Sequence, residues 1–329
     1  MAKDKELRRN PQYRLMNQIN CLDAGQVICH FLCGFFIIFP QVAVELEVLV
    51  RNYSNQNGEN VVLWKLEDKP QFVIGIIYCS LAVIIAPAYV TIIYVMAKDK
   101  ELRRNPQYRL MNQINCLDAG QVICHFLCGV FIIFPQVAVK LEVLVRICSS
   151  TSLFFWQALF PVMVVLAISR ILIIVEYMGP ERTPTVLKIV AAIGWMFTGG
   201  VWLFGCITQN SFLNGVAWMY DESKFGTSIL SVIDIYLCFP SLGITYIAYL
   251  GFVIHLCVSG REVSGSHRKV EIRIFFQGSI LCSYMCAIVL ISIHEDQWFA
   301  ISDTTTAALD CIWIFLLYVN LFLLFAFNR

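Results

Sequence analysis

Two ionisable side chains, Asp118 and Arg170, stand inside long apolar stretches of the sequence. A charged group inside a membrane helix is costly and normally faces the bundle interior or a water-filled cavity. Inside an apolar helix Asp118 would need a partner, a cation or a proton. It would act either as an ion- or proton-sensitive switch or as a structural acid near the interface. Arg170 is either a switch between other helices and a cytosolic partner, or a side chain that reaches the inner headgroups. Both are candidate residues of a signalling switch.

Polar and aromatic side chains also occur in the predicted outer halves of the apolar stretches. Aromatic residues at a membrane interface commonly form a belt facing the headgroups. Aromatic and polar groups that converge between helices instead describe a pocket for a small ligand. The sequence suggests four residues for such a ligand pocket, namely Trp156, Gln157, Asp234 and Tyr236.

The sequence Cys124-His125-x-x-Cys128 places two thiols on one helical face, which could suggest a metal site. Three ligands from one apolar helix cannot complete a tetrahedral shell, so small packing residues are the better interpretation and we expect no metal. The sequence has no HExxH or GxSxG motif and no phosphate-binding glycine loop. We therefore expect neither an enzyme nor a cofactor.

The composition requires a membrane protein. Of 329 residues, 58% are hydrophobic and only 14% are charged, too few charges to cover a water-exposed surface. The net charge of +1 gives no attraction to nucleic acid. A membrane helix needs about 20 mainly apolar residues. The pattern predicts an all-α, polytopic bundle with seven spans, at 71–96, 110–139, 153–175, 185–207, 229–258, 274–293 and 309–328.

Residues 1–51 repeat residues 96–146 with two differences, Phe35 against Val130 and Glu45 against Lys140. The copy is either an added transmembrane helix near 15–44 or a gene-model artefact. The expected organisation is the copy at 1–51, an extracellular segment at 52–70 and the seven-helix bundle at 71–329.

Lys and Arg in short loops indicate which side is cytoplasmic. With the N-terminus inside, 17 of the 24 cations are cytoplasmic and 6 are external; without residues 1–51 the counts are 12 and 5. The external side then holds the glycosylation sequon at Asn52 and two cysteines, Cys148 and Cys206, that could form a disulfide. The inner loops hold basic residues that could contact anionic lipid or a signalling partner, namely Arg103, Arg104, Arg268, Lys269 and Arg273.

Several local motifs resemble one receptor family. They are Asn105-Pro106-x-Tyr108-Arg109-Leu110-Met111, Leu117-Asp118-x-x-Gln121-x-x-x-His125-Phe126, Ala167-Ile168-Ser169-Arg170 and Lys269-Val270-Glu271-x-Arg273-Ile274-Phe275-x-Gln277. Together with seven spans and an Arg at the inner end of the third, they are similar to the nematode serpentine receptor class T family of G-protein-coupled receptors. The resemblance covers about residues 71–329.

This resemblance implies a chemosensory receptor at the plasma membrane, as in a sensory neuron cilium, that binds a small molecule and a heterotrimeric G protein. It places Arg170 at the position that switches the inner face. Two departures stand out: Ser169 replaces an acid common in rhodopsin-like receptors, and no proline follows Asn320. The alternatives are a transporter or channel, and a non-functional receptor-derived product in which two copies of one helix compete.

Overall fold

The computed structural model of the chain describes residues 69–99, 102, 106–174, 184–258, 266–299 and 302–327. The repeat at residues 1–51 lies outside the described residues, and so do Asn52, Arg103 and Arg104. The added helix, the glycosylation site and the inner contacts of these two arginines therefore stay predictions. We call outer the side that the cation count predicts to face outside.

Nine helices and one two-stranded sheet make up the described part of the chain. In order they are α1 (Lys69–Lys98), α2 (Pro106–Ile133), α3 (Pro135–Lys140), α4 (Glu142–Ile174), α5 (Thr185–Thr208), β1 (Ser211–Asn214), β2 (Ala217–Tyr220), α6 (Thr227–Val258), α7 (Ser266–Ile293), α8 (Glu295–Trp298) and α9 (Asp303–Phe327). Seven of them, α1, α2, α4, α5, α6, α7 and α9, are long and apolar enough to cross a membrane. The predicted seven-span bundle is confirmed.

The second and third spans have different bounds from those predicted. The predicted second span, 110–139, is too long, because α2 ends at Ile133 and Pro135 starts the short α3. A proline disfavours helical geometry at the residue before it, and Phe134 has φ −123° and ψ 69°. The third span begins earlier than residue 153, at Glu142, because its polar first turns pack against the hairpin described next.

An antiparallel β-hairpin joins α5 to α6 on the outer side and was not predicted. Ser211 pairs with Tyr220 and Asn214 with Ala217, leaving Gly215-Val216 as the two-residue turn. Gly215 occupies the first turn position with a φ of +58°, which glycine adopts without strain, and an Asn-Gly pair between short runs is a sequence signal for a hairpin. The buried Val216 of this turn packs in one cluster with Ile74 of α1 and Ile132 of α2.

Burial is highest in α2, intermediate in α1 and α4, and lowest in α5 and α6, which lie at the edge of the bundle. In the most apolar window of α2, 61% of the residues are buried, against 17% in α5. Lipid therefore covers most of α5. Among the described helices α1 and α2 share the most extensive contact, and they meet where Gly75 faces Gly129. This crossing fixes α2, and with it Asp118, in rotation about its axis.

Candidate functional site

Asp118 is buried, at 3% exposure, and joins three helices. Its Oδ2 lies 3.0 Å from the Tyr89 hydroxyl of α1 and accepts a hydrogen bond from Asn320 Nδ2 of α9 at 2.5 Å. The Tyr89 hydroxyl also lies 2.9 Å from the Leu317 carbonyl oxygen. The absence of a proline after Asn320 does not prevent this contact. A partnered acid between α1, α2 and α9 can stabilise one arrangement of these helices.

Removing the Tyr89 hydroxyl should measurably destabilise the bundle. Tyr89→Phe keeps the ring but leaves Asp118 and the Leu317 carbonyl with one partner fewer in an apolar interior. We expect a loss of about 1–3 kcal/mol in unfolding free energy. Thermal unfolding of the detergent-solubilised protein measures it, with Tyr94→Phe as the matched control, since Tyr94 is 52% exposed on the same helix. Equal effects of the two substitutions would contradict the role of the Asp118 network.

Arg170 faces the interior of the bundle. Its side chain is only 5% exposed, so it does not extend to the headgroups. Its guanidinium is hydrogen-bonded to the Tyr249 hydroxyl of α6. Gly278 of α7 leaves the space for this pair, because a Cβ there would lie 2.7 Å from the Tyr249 Cζ and 3.3 Å from an Arg170 nitrogen. Ser169 does not take the role of an acid that binds Arg170, because its hydroxyl donates a hydrogen bond to the Leu166 carbonyl of its own helix at 2.8 Å.

A cavity of about 40 Å³ lies beside Arg170. Its polar lining includes Asn115, Gln277 and Asn320, together with Arg170 and Tyr249. A polar cavity of this size can hold a few water molecules. Asn320 thus faces the cavity while it also bonds Asp118, so the cavity adjoins both predicted switch residues.

The outer candidate residues lie mainly between α4 and α6. Gln157, which is 1% exposed on α4, has its Nε2 3.4 Å from Asp234 Oδ1 of α6, a long hydrogen bond. Trp156 packs edge-on against Trp313 of α9, with ring centroids 4.3 Å apart. Tyr220 of β2 lies close enough to Asp234 for their charges to interact. The structure therefore brings Gln157 and Asp234 together between α4 and α6, while Trp156 lies on the side of α4 that meets α9.

The expectation that Tyr236 belongs to this group is wrong. Its side chain is 73% exposed on the outer surface of α6. Residues two apart on a helix point to different sides, so Tyr236 cannot share the face of Asp234. In a membrane this face contacts lipid.

The predicted disulfide is wrong too, because Cys148 and Cys206 are both free. The face of α4 that meets α5 carries Thr151, whose hydroxyl accepts a hydrogen bond from Trp202 Nε1 at 3.2 Å. Cys148 instead lies near Cys124 of α2. The two thiols therefore do not face each other across the α4–α5 contact.

The remaining predicted residues divide into two groups. Arg268, Lys269 and Arg273 lie on the first part of α7, in a stretch whose side chains are not described. Their contact with lipid or G protein stays a prediction. Cys124 and Cys128 are buried apolar-like residues of α2, and within the described residues no group of three metal-ligating side chains is close enough to hold a metal ion.

Sequence reasoning missed the partners of the site. Tyr89 and Tyr249 are buried tyrosines in apolar runs, which carry no signal distinguishing them from packing residues. Tyr78 and Asp310, 3.2 Å apart between α1 and α9, form another such pair. The hairpin could have been found from Asn214-Gly215.

Seven span-capable helices, with a buried acid and a buried arginine near an inner cavity, form a seven-helix membrane bundle. The family model of the serpentine type 7TM GPCR chemoreceptor Srt matches residues 48–327. The chain belongs to this family, and it is an integral, multi-pass membrane protein. No curated protein matches it in sequence. The crystal structure of squid rhodopsin is similar with a TM-score of 0.53 and 14% identity, covering 78% of this chain and 81% of that chain. At this identity the likeness concerns the fold alone.

Proposed function

We propose that this chain is a plasma-membrane chemoreceptor that binds a small ligand between the outer parts of α4 and α6. Ligand binding would change the packing of these helices and expose the inner face to a heterotrimeric G protein. A sensory cilium is the expected location by family resemblance. The proposal rests on family membership and on one structural observation, developed next.

The observation is that α4 and α6 make polar contacts at both ends of the bundle. Gln157 meets Asp234 on the outer side, and Arg170 meets Tyr249 on the inner side. Gln157 and Arg170 are roughly 20 Å apart along α4 at 1.5 Å per residue. A ligand that replaces the long Gln157–Asp234 bond would change the outer spacing of the same two helices whose inner spacing positions Arg170.

Both helices contain a proline between their two contacts. Pro161 lies between Gln157 and Arg170 in α4, and Pro240 lies before Tyr249 in α6. Proline removes an intrahelical hydrogen bond and is a common cause of a kink. Each helix can therefore bend at a fixed point between the ligand end and the inner end. Bending at Pro240 would move Tyr249 relative to Arg170.

The inner face carries the signalling part of the proposal. Release of Arg170 from Tyr249 would open the cavity between α4, α6 and α7 to the cytoplasm. The basic residues of the inner loops (Arg103, Arg104, Arg268, Lys269 and Arg273) would then contact the G protein or the anionic lipid around it. Asp118 would respond to the same change through Asn320, which lines the cavity.

Asp234→Asn tests the ligand site. The substitution keeps the size of the side chain but removes its charge. The odorant used is whichever small molecule activates the parent receptor in a G-protein assay in cultured cells. Loss of a charge-assisted hydrogen bond should raise its half-maximal concentration about tenfold or more.

Tyr236→Phe is the matched control, because Tyr236 lies two residues away on the lipid-facing side of the same helix. It should leave the dose response unchanged. Surface abundance is counted for each variant. An unaltered response of Asp234→Asn at equal surface abundance would show that the ligand does not contact Asp234.

A further inference from the structure

One arginine joins three structural elements at the outer end of the bundle. Arg146 of α4 donates from Nη1 to the Gln209 carbonyl at 2.9 Å and to Asp221 Oδ2 at 3.0 Å. Its Nε donates to Glu142 Oε1 at 2.9 Å. The Arg146 side chain is 11% exposed and that of Asp221 is 17% exposed. The planar guanidinium suits such simultaneous contacts.

These partners lie at the base of the outer hairpin, which we define as residues 209–226. Gln209 is the C-cap of α5, so its carbonyl lies at the negative end of the helix dipole, where a cation is favoured. Asp221 directly follows β2 and its amide donates to the Asn210 carbonyl at 2.7 Å. Arg146 thus binds the chain where the hairpin begins and where it ends.

The outer hairpin covers the proposed ligand site. Its Tyr220 lies within electrostatic range of Asp234, and its buried Val216 packs with residues of α1, α2 and α9. The hydroxyls of Ser211 and Ser150 add a contact to α4 at 3.1 Å. Residues 209–226 contain no cysteine, so no disulfide can attach the hairpin to the helices. Its attachment to α4 is non-covalent.

We infer that the outer hairpin is a gate, closed by the Arg146–Asp221 contact, through which a ligand reaches Asp234 from outside. The claim that the gate leads to a ligand site rests on the proposed function. The claim that the hairpin opens does not. Opening would separate this ion pair, the packing of Arg146 on the Phe212 ring, the Ser150–Ser211 contact and the apolar tip. An ion pair near water is weakened by salt, so ionic strength should control the gate.

Acidity near neutral pH should not open this gate. Hydrogen bonds from Ser223 and then from Arg146 hold the pKa of Asp221 below its ordinary value. A carboxylate with a lowered pKa keeps its contribution at neutral pH and loses it only as the pH falls through that lowered value, far on the acid side of neutrality. Arg146, which also donates to Glu142, stays charged near neutrality.

Hydrogen exchange of the full chain in lipid nanodiscs tests the closure. Asp221→Asn and Arg146→Gln should each make the amides of residues 211–220 exchange about tenfold faster, as expected for the loss of one charge-assisted hydrogen bond. The double variant should exchange no faster than Arg146→Gln alone, because the two substitutions break the same Arg146–Asp221 contact. Glu142→Gln is the matched control; Glu142 bonds the same arginine but is 65% exposed and not on the hairpin.

Salt provides a test that needs no substitution. Raising the salt from about 0.05 M to about 0.5 M should speed exchange of the hairpin amides in the parent chain and not in Asp221→Asn. Unchanged hairpin exchange in both charge variants and in salt would overturn the inference.

Thiol labelling tests access separately from ligand binding. Val216→Cys places a thiol in the turn of the hairpin, at a position that is 1% exposed when the hairpin is closed. A membrane-impermeant maleimide should label it several-fold faster when Asp221→Asn is also present, after subtraction of labelling at the native cysteines. Equal labelling rates would mean that the hairpin does not open, and a ligand would then enter from the lipid. Failure of the proposed ligand site would instead show in the Asp234→Asn dose response and leave this labelling unchanged.

Discussion

Replacing Arg170 with alanine should abolish G-protein activation by an odorant while the receptor still reaches the cell surface. Arg170 is the side chain through which α4 contacts Tyr249 of α6 beside the inner cavity. Alanine removes both this resting contact and the guanidinium that would meet the G protein. The cavity around it would enlarge, so surface abundance and thermal unfolding are measured together with signalling.

Two further variants separate this role from a general effect of charge. Arg109→Ala removes an exposed arginine near the cytoplasmic end of α2 and should leave signalling within about twofold of the parent. Arg170→Lys keeps the charge but not the planar set of donors, so it should restore only a small part of the response. A normal response from Arg170→Ala, at equal surface abundance, would remove Arg170 from the mechanism.

The sequence predicted the residues of the inner site better than their contacts. Asp118 and Arg170 were found because a charged group in an apolar run is rare and costly. Their partners Tyr89 and Tyr249 were not found, because which residues meet depends on how each helix is rotated about its axis. That rotation follows from packing between helices, and the hydrophobic pattern of a membrane helix hardly constrains it, since lipid-facing and buried residues are both apolar.

The errors at the outer site have the same origin. Proximity in sequence placed Tyr236 with Asp234, and proximity to the outer surface placed Cys148 with Cys206. Helix geometry separates the first pair, and the orientation of α4 separates the second. Arg146 was counted only as one external cation, although it lies in the first turns of α4 and binds Asp221 at the base of the hairpin. Its role depends on Asp221, which is distant in sequence.

The crossing of α1 and α2 should be the least tolerant position for a small substitution. A Cβ added at Gly129 would lie 2.7 Å from both the Gly75 carbonyl oxygen and the Cys79 Sγ, and 3.0 Å from the Cys79 amide nitrogen. Two of these are backbone atoms, which can move only if the helices separate. Gly129→Ala should therefore lower the unfolding free energy by about 1–3 kcal/mol, the usual cost of overpacking. Thermal unfolding in detergent measures the loss.

Gly200→Ala is the matched control, because the same methyl group added to α5 meets nothing within 4 Å. Alanine favours helix by about 0.8–1.0 kcal/mol over glycine, so this variant should be unchanged or slightly more stable. Opposite signs for two identical substitutions would show that the contact, and not helix propensity, decides the effect. Separation of α1 from α2 would also move Tyr89 away from Asp118, so Gly129→Ala combined with Tyr89→Phe should cost less than the sum of the two single effects. Fully additive losses would mean that the glycine crossing does not position Asp118.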